Sequence, residues 1–159
     1  MVQADDLREK TRHVAQLNPS SIEPHVQIAN LLYFSLGDYD RSTAQLRKCL
    51  HSDPDSKPCS KLFRRIKTYE KQAAKARGLR EKRQWNSANK ILLGVGGDAA
   101  DGDVGVIADV KADIDDLGRG GSDSFNEHCP QKLLAGLEEM VCDSFTEVCS
   151  SASDRRRLD

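Results

Sequence analysis

Along most of the chain the apolar residues return every three or four positions, the spacing of helices that each bury one stripe. Over residues 5–17, Leu7, Val14 and Leu17 keep that spacing until Asn18-Pro19-Ser20 stops it. A second helix is predicted over 23–35, with Pro24 in its first turn, where a missing N–H costs nothing. Its apolar residues (Val26, Ile28, Ala29, Leu31, Leu32, Tyr33, Phe34) run nearly all round, so neighbours should cover it well. Gly37-Asp38 is a break of the kind that supplies a left-handed C-cap. A third helix is predicted over 39–51, with Ala44, Leu46, Cys49 and Leu50 facing inward, closed by Ser52-Asp53-Pro54.

From 58 to 83 the only breaker is Gly78, and Leu62, Ile66, Tyr69, Ala73 and Ala76 step by four, three, four and three. One long amphipathic helix follows, with its cations on the outer face. Residues 85–93 read as a shorter helix after a tight turn at Lys82-Arg83-Gln84. Between 94 and 127 the pattern dissolves into eight glycines and nine acids, with Val104, Val106, Ile107 and Val110 as the main aliphatics. That composition predicts a mobile acidic insertion. Helical spacing returns over 131–148, through Leu133, Leu134, Leu137, Met140, Val141, Cys142, Phe145 and Val148, before a polar tail with Arg155-Arg156-Arg157. The expected organisation is all-α: helical repeats over 4–94, a disordered Gly/Asp-rich insertion over 95–129, a helix of a further partial repeat over 130–149, and a disordered tail over 150–159.

Composition fits that reading. Charged residues make up 31% of the 159 and aromatics 5%, a balance suited to an open array of helix pairs in which each pair buries only a stripe against the next. The net charge of −1 conceals eleven Lys/Arg against two acids over 57–83, and nine acids against two cations over 98–127. No stretch approaches the roughly 20 apolar residues of a membrane span, and Met1-Val-Gln-Ala-Asp-Asp6 carries no secretory pattern, so composition leaves the compartment undecided and the cytoplasm open.

The motif that assigns the fold runs from Leu31 to Pro54. It resembles a tetratricopeptide repeat, the helix-pair unit of about 34 residues in which small and large residues alternate so that two antiparallel helices approach closely. Ala29 and Tyr33 stand at the inner positions of the first helix, Gly37 and Tyr39 at the turn, and Ser42, Leu46 and Cys49 face back from the second. Pro19 looks like the closing proline of an earlier repeat. Trp85-Asn-Ser-Ala88 looks like the opening of another second helix, with Ala76 at its partner's small position. Val141, Cys142 and Phe145 fit the first helix of one more. Asn30 departs from the pattern, standing where glycine is usual.

The run from Leu46 to Lys67, the long helix, and Leu137-Glu-Glu-Met-Val-Cys-Asp-Ser-Phe-Thr-Glu147 are similar to the repeat region of the endoplasmic-reticulum DnaJ-type cochaperones (the DnaJ homolog subfamily C member 3 group and its fungal relatives). The resemblance covers residues 5–94 and 131–148. It implies that unfolded polypeptides are held in the endoplasmic-reticulum lumen and passed to a lumenal Hsp70 through a J domain; this chain has no His-Pro-Asp triplet and no J domain. The ten-residue spacing of Cys49 and Cys59 leaves a bridge and a buried core thiol both open, and the resemblance favours the bridge.

On this reading the concave face binds the partner. It would present Gln27, Leu31, Phe34 and Ser35 from the complete repeat, with Leu31 and Phe34 as apolar surface for a client. The repeat at Trp85 would add Ala73, Arg77 and Arg80. Repeats that clamp acidic chaperone C-termini carry lysine and asparagine where Gln27 and Leu31 stand, so that clamp is not expected.

Other chemistry finds little support in the spacing. His128, Cys129, Cys142 and Cys149 match no zinc knuckle. Gly94-Val-Gly-Gly97 lacks the Lys-Ser/Thr of a phosphate loop, and Asp98, Asp101 and Asp103 lack the glycine and closing glutamate of a calcium loop. Phe63, Tyr69 and Trp85 fall on or near the apolar stripe, which favours core packing over nucleic-acid stacking. His13, His25 and His51 occupy separate elements, leaving no catalytic constellation. No metal, cofactor, nucleic-acid or membrane partner and no enzymatic activity is therefore expected. The competing expectation is a structural repeat fragment, from an incomplete gene product, that makes protein contacts without a competent groove.

Overall fold

The computed structural model describes residues 9, 13, 22–94, 105–119 and 131–155. The helix expected over 5–17, Pro19, the Asp98, Asp101 and Asp103 carboxylates, His128, Cys129 and the end of the tail lie outside the described residues. Among those described the chain is all-α and of tetratricopeptide type. Helix α1 (Glu23–Asn30) runs into a π turn (Leu31–Ser35), followed by α2 (Tyr39–Ser52), α3 (Lys57–Glu81), α4 (Trp85–Leu93), α5 (Val106–Arg119) and α6 (Lys132–Arg155). Two compact units result, Met1–Thr68 with Ile114–Leu133, and Tyr69–Asp113 with Leu134–Asp159; the divisions fall inside α3 and α5.

In the first unit the repeat motif does what its small residues require. The Ser42 hydroxyl donates to the Ala29 carbonyl at 2.9 Å, a bond made where both residues are fully buried. Such a contact needs two backbones in close approach, and a large side chain at either position would prevent it. Tyr33 and Phe34 are 1% exposed, with ring centroids 5.2 Å apart in an edge-to-face arrangement. The turn is fixed by Gly37 at φ 70°, a conformation that a Cβ makes costly. Gly37 N–H donates to the Tyr33 carbonyl at 2.9 Å and Asp38 N–H to that of Leu32 at 2.8 Å. Asp38 then caps α2, its carboxylate accepting from Arg41 N–H at 3.0 Å. Ala44, expected inward, is exposed; Ser42 and Thr43 take the buried face with Leu46 and Cys49.

The second unit contains the main departure from the sequence expectation. The stretch 95–129, expected to be disordered throughout, carries helix α5, with Val106, Ile107 and Val110 all buried. These residues and Ile114 recur at one, four and eight positions from Val106, which is one helical face; Asp115 and Asp116 are exposed. Gly105 caps the helix, its carbonyl accepting from Ala108 N–H at 3.0 Å and Asp109 N–H at 3.2 Å. A Cβ there would collide with the backbone of Leu92, Leu93 and Gly94. Ala73, Ala76 and Ala88 supply further close-packing positions, each 2% exposed or less. In α6 the buried face is Leu134, Leu137, Val141 and Ser144, which leaves Cys142 and Phe145 outside it.

Candidate polypeptide-binding surfaces

The four groove positions proposed in the complete repeat separate on inspection. Gln27 is exposed, its amide donating to the Glu23 carboxylate at 3.2 Å. Leu31, Phe34 and Ser35 are 5%, 1% and 1% exposed, so they are core and present nothing to a client here. The reason is the apolar distribution itself: a segment hydrophobic nearly all round is buried nearly all round. The Ser35 hydroxyl and the Asn30 side-chain carbonyl, both buried, find no hydrogen-bond partner among the described residues.

The three positions from the second unit also divide. Ala73 is buried. Arg77 pairs with Glu70 at 2.9 Å one face along α3, and half of its side chain remains in solvent. Arg80 reaches Asp143 on α6 at 3.0 Å, and its guanidinium lies 6.0 Å from the Trp85 ring centroid. Exposed pairs of this kind contribute about 0–1 kcal/mol each. They orient side chains more than they stabilise the unit.

Two features were not anticipated. In the second unit Leu93 and Phe145 are large apolar side chains left 49% and 51% exposed. The first unit has a groove of about 530 Å³ at the α2–α3 turn, whose walls include Ser56, Ser60, Lys57, Lys61, Arg64 and Arg65. A signal for the groove was present in the sequence: four cations within nine residues, directly after a proline-bounded turn.

Beside that groove Cys49, late on α2, is joined to Cys59, in the first turn of α3, with Cα atoms 6.4 Å apart. Both sulfurs are buried. The ring they close constrains the unfolded chain by about 2–3 kcal/mol and clips the end of the repeat to the helix that follows. Cys142 and Cys149 are exposed thiols. Among the described residues no helix is long and apolar enough to cross a membrane.

The class to which this helix-pair chain belongs is one of protein-folding auxiliaries: the chain is homologous to a segment of the co-chaperones that combine tetratricopeptide repeats with a J domain. It is 33% identical over 136 residues, 86% of its own length, to the tetratricopeptide repeat and J domain-containing co-chaperone DNJ1 of Fusarium oxysporum f. sp. lycopersici. It is 35% identical over 103 residues to the protein of the same name from Cryptococcus neoformans var. grubii, covering 65% of this chain. It is 34% identical over 62 residues, 39% of this chain, to DnaJ homolog subfamily C member 3 of Gallus gallus. The chain spans 25%, 18% and 12% of the lengths of these relatives. No protein-family model and no solved structure matches it significantly.

Proposed function

We propose that this chain is a polypeptide-binding repeat module that holds unfolded or extended clients within an endoplasmic-reticulum co-chaperone. The observation that carries the reading is the homology to co-chaperones over 86% of the chain. The Cys49–Cys59 bond supports the lumenal compartment, since structural disulfides persist in oxidising surroundings and are rare in the cytosol. The role is binding and not catalysis, and a lumenal Hsp70 would be engaged through a J domain outside this segment.

With Leu31 and Phe34 in the core, the client surface is assigned to the apolar side chains that remain outside it, Leu93 and Phe145. The intact oxidised chain should suppress aggregation of a chemically unfolded protein. Leu93→Ser with Phe145→Ser should weaken suppression severalfold while circular dichroism stays unchanged. Absence of suppression by the wild-type chain would leave the second reading, a scaffold segment making protein contacts only. The burial of the expected groove residues is the observation that favours that alternative.

A further inference from the structure

The groove at the α2–α3 turn has a chemical character that neither helix packing nor the client reading accounts for. Lys57, Lys61 and Arg64 are exposed and project from one side of the start of α3, with Arg65 beside them. Helical positions 57, 61 and 64 fall within about 60° of one another around the axis, so their charges share a face. The first turn of α3 carries no acid. Cations at a helix N-terminus add to the positive end of the helix dipole instead of offsetting it. One carboxylate, Asp55, stands in the same wall. The wall thus carries four cations against one carboxylate, and no described residue is paired with Lys57, Lys61 or Arg64 in an ion pair.

The groove is also a built concavity. Ser56 is 3% exposed yet lines it, and its hydroxyl lies 3.9 Å from the Cys49 sulfur of the disulfide. Pro54, Asp55, Ser56 and Lys57 lie inside the ring closed by the Cys49–Cys59 bond. That wall is therefore held in place before any ligand arrives, which lowers the ordering cost of binding.

We propose that this groove binds an acidic segment of a polypeptide, with Lys57, Lys61 and Arg64 meeting carboxylates on alternate residues. The spacing suits such a segment: Lys57 and Lys61 are separated by about 6 Å of helical rise and Arg64 follows about 4.5 Å further on, within side-chain reach of the about 6.5–7 Å between residues two apart on an extended chain. A peptide fits better than a nucleic acid, because the groove offers no aromatic face on which a base would stack. The proposal rests on the polypeptide-binding reading for the class of partner, but it uses a different surface and a different chemistry.

The test is fluorescence anisotropy of the oxidised chain with a labelled twelve-residue peptide of alternating Glu and Ser. Saturable binding is expected, and it should weaken as salt rises. Lys61→Glu with Arg64→Glu should reduce affinity at least tenfold, and Lys57→Ala with Arg64→Ala severalfold. Lys61→Arg with Arg64→Lys should keep affinity near wild type, and circular dichroism should match throughout. No saturable binding, or equal binding by the charge-reversed chain, overturns the proposal. Equal displacement of the peptide by a single-stranded oligonucleotide of the same charge overturns the choice of polypeptide. The aggregation assay separates the two readings. A chain that holds clients but loses the peptide on charge reversal supports both, whereas peptide binding without client holding keeps the groove and removes the holdase.

Discussion

The Tyr69 hydroxyl donates to the Asp113 carboxylate at 2.7 Å, both residues being less than 9% exposed. They are 44 residues apart, one on α3 and the other on α5. Within the second unit the bond ties the first half of α5 to the long helix, and it gives a buried carboxylate a donor that such a group needs.

Tyr69→Phe keeps the ring and removes the donor, leaving Asp113 short of a hydrogen bond. A hydrogen bond to a charged group contributes about 1.5–3 kcal/mol. Chemical denaturation should report a loss in that range, and hydrogen exchange should show α5 protection falling most. An unchanged midpoint with α5 still protected would mean that Asp113 is adequately solvated without Tyr69.

That pair also marks where the sequence stopped being informative. The starts of α2, α3 and α4 (Tyr39, Lys57, Trp85) lie within one residue of where periodicity and Gly/Pro breakers put them, because both signals are local. Helix α5 was obscured because glycine and aspartate dominate the composition of 94–127, while its four-residue apolar stripe is short. What decides its order is a partner such as Tyr69, which no local window contains. The groove residues failed for the same reason: Leu31 and Phe34 read as apolar, but whether an apolar side chain faces a neighbour or a client depends on what packs over it.

If Leu31 and Phe34 are core, Leu31→Ser with Phe34→Ser should cost several kcal/mol, since each deletes a buried side chain and strands a hydroxyl. Circular dichroism should show lost helicity and a lower melting temperature. Ser35→Ala acts in the opposite sense. Its buried hydroxyl lacks a partner among the described residues, so removing it should be neutral or stabilise by up to about 1 kcal/mol. A folded double variant of wild-type stability would return those positions to the surface.

The Cys49–Cys59 bond predicts that a non-reduced digest contains the two peptides joined. Reduction should lower stability by about 2–3 kcal/mol. Cys49→Ala with Cys59→Ala should reproduce that loss and become insensitive to reductant. Two freely alkylated thiols after oxidative refolding would count against the bond and against the oxidising compartment proposed with it.

Gly105 offers the most local test of the second unit. It is buried, it accepts the first two hydrogen bonds of α5, and it lies flush on the backbone of Leu92, Leu93 and Gly94. A methyl group at this position meets main chain, which cannot swing aside as a flexible side chain would. Gly105→Ala should therefore cost about 1–3 kcal/mol, the range for forcing extra volume into packed structure. The loss should concentrate where the collision is, so amide exchange should accelerate in α5 and at the end of α4 before it does in the first unit. Gly78, on an open face of α3 with nothing within 4 Å of an added Cβ, is the internal control. Gly78→Ala should stabilise by about 0.5–1 kcal/mol through helix propensity alone. Equal effects at the two glycines would mean that α5 does not dock on the Leu92–Gly94 backbone, and that the helix forms independently of it.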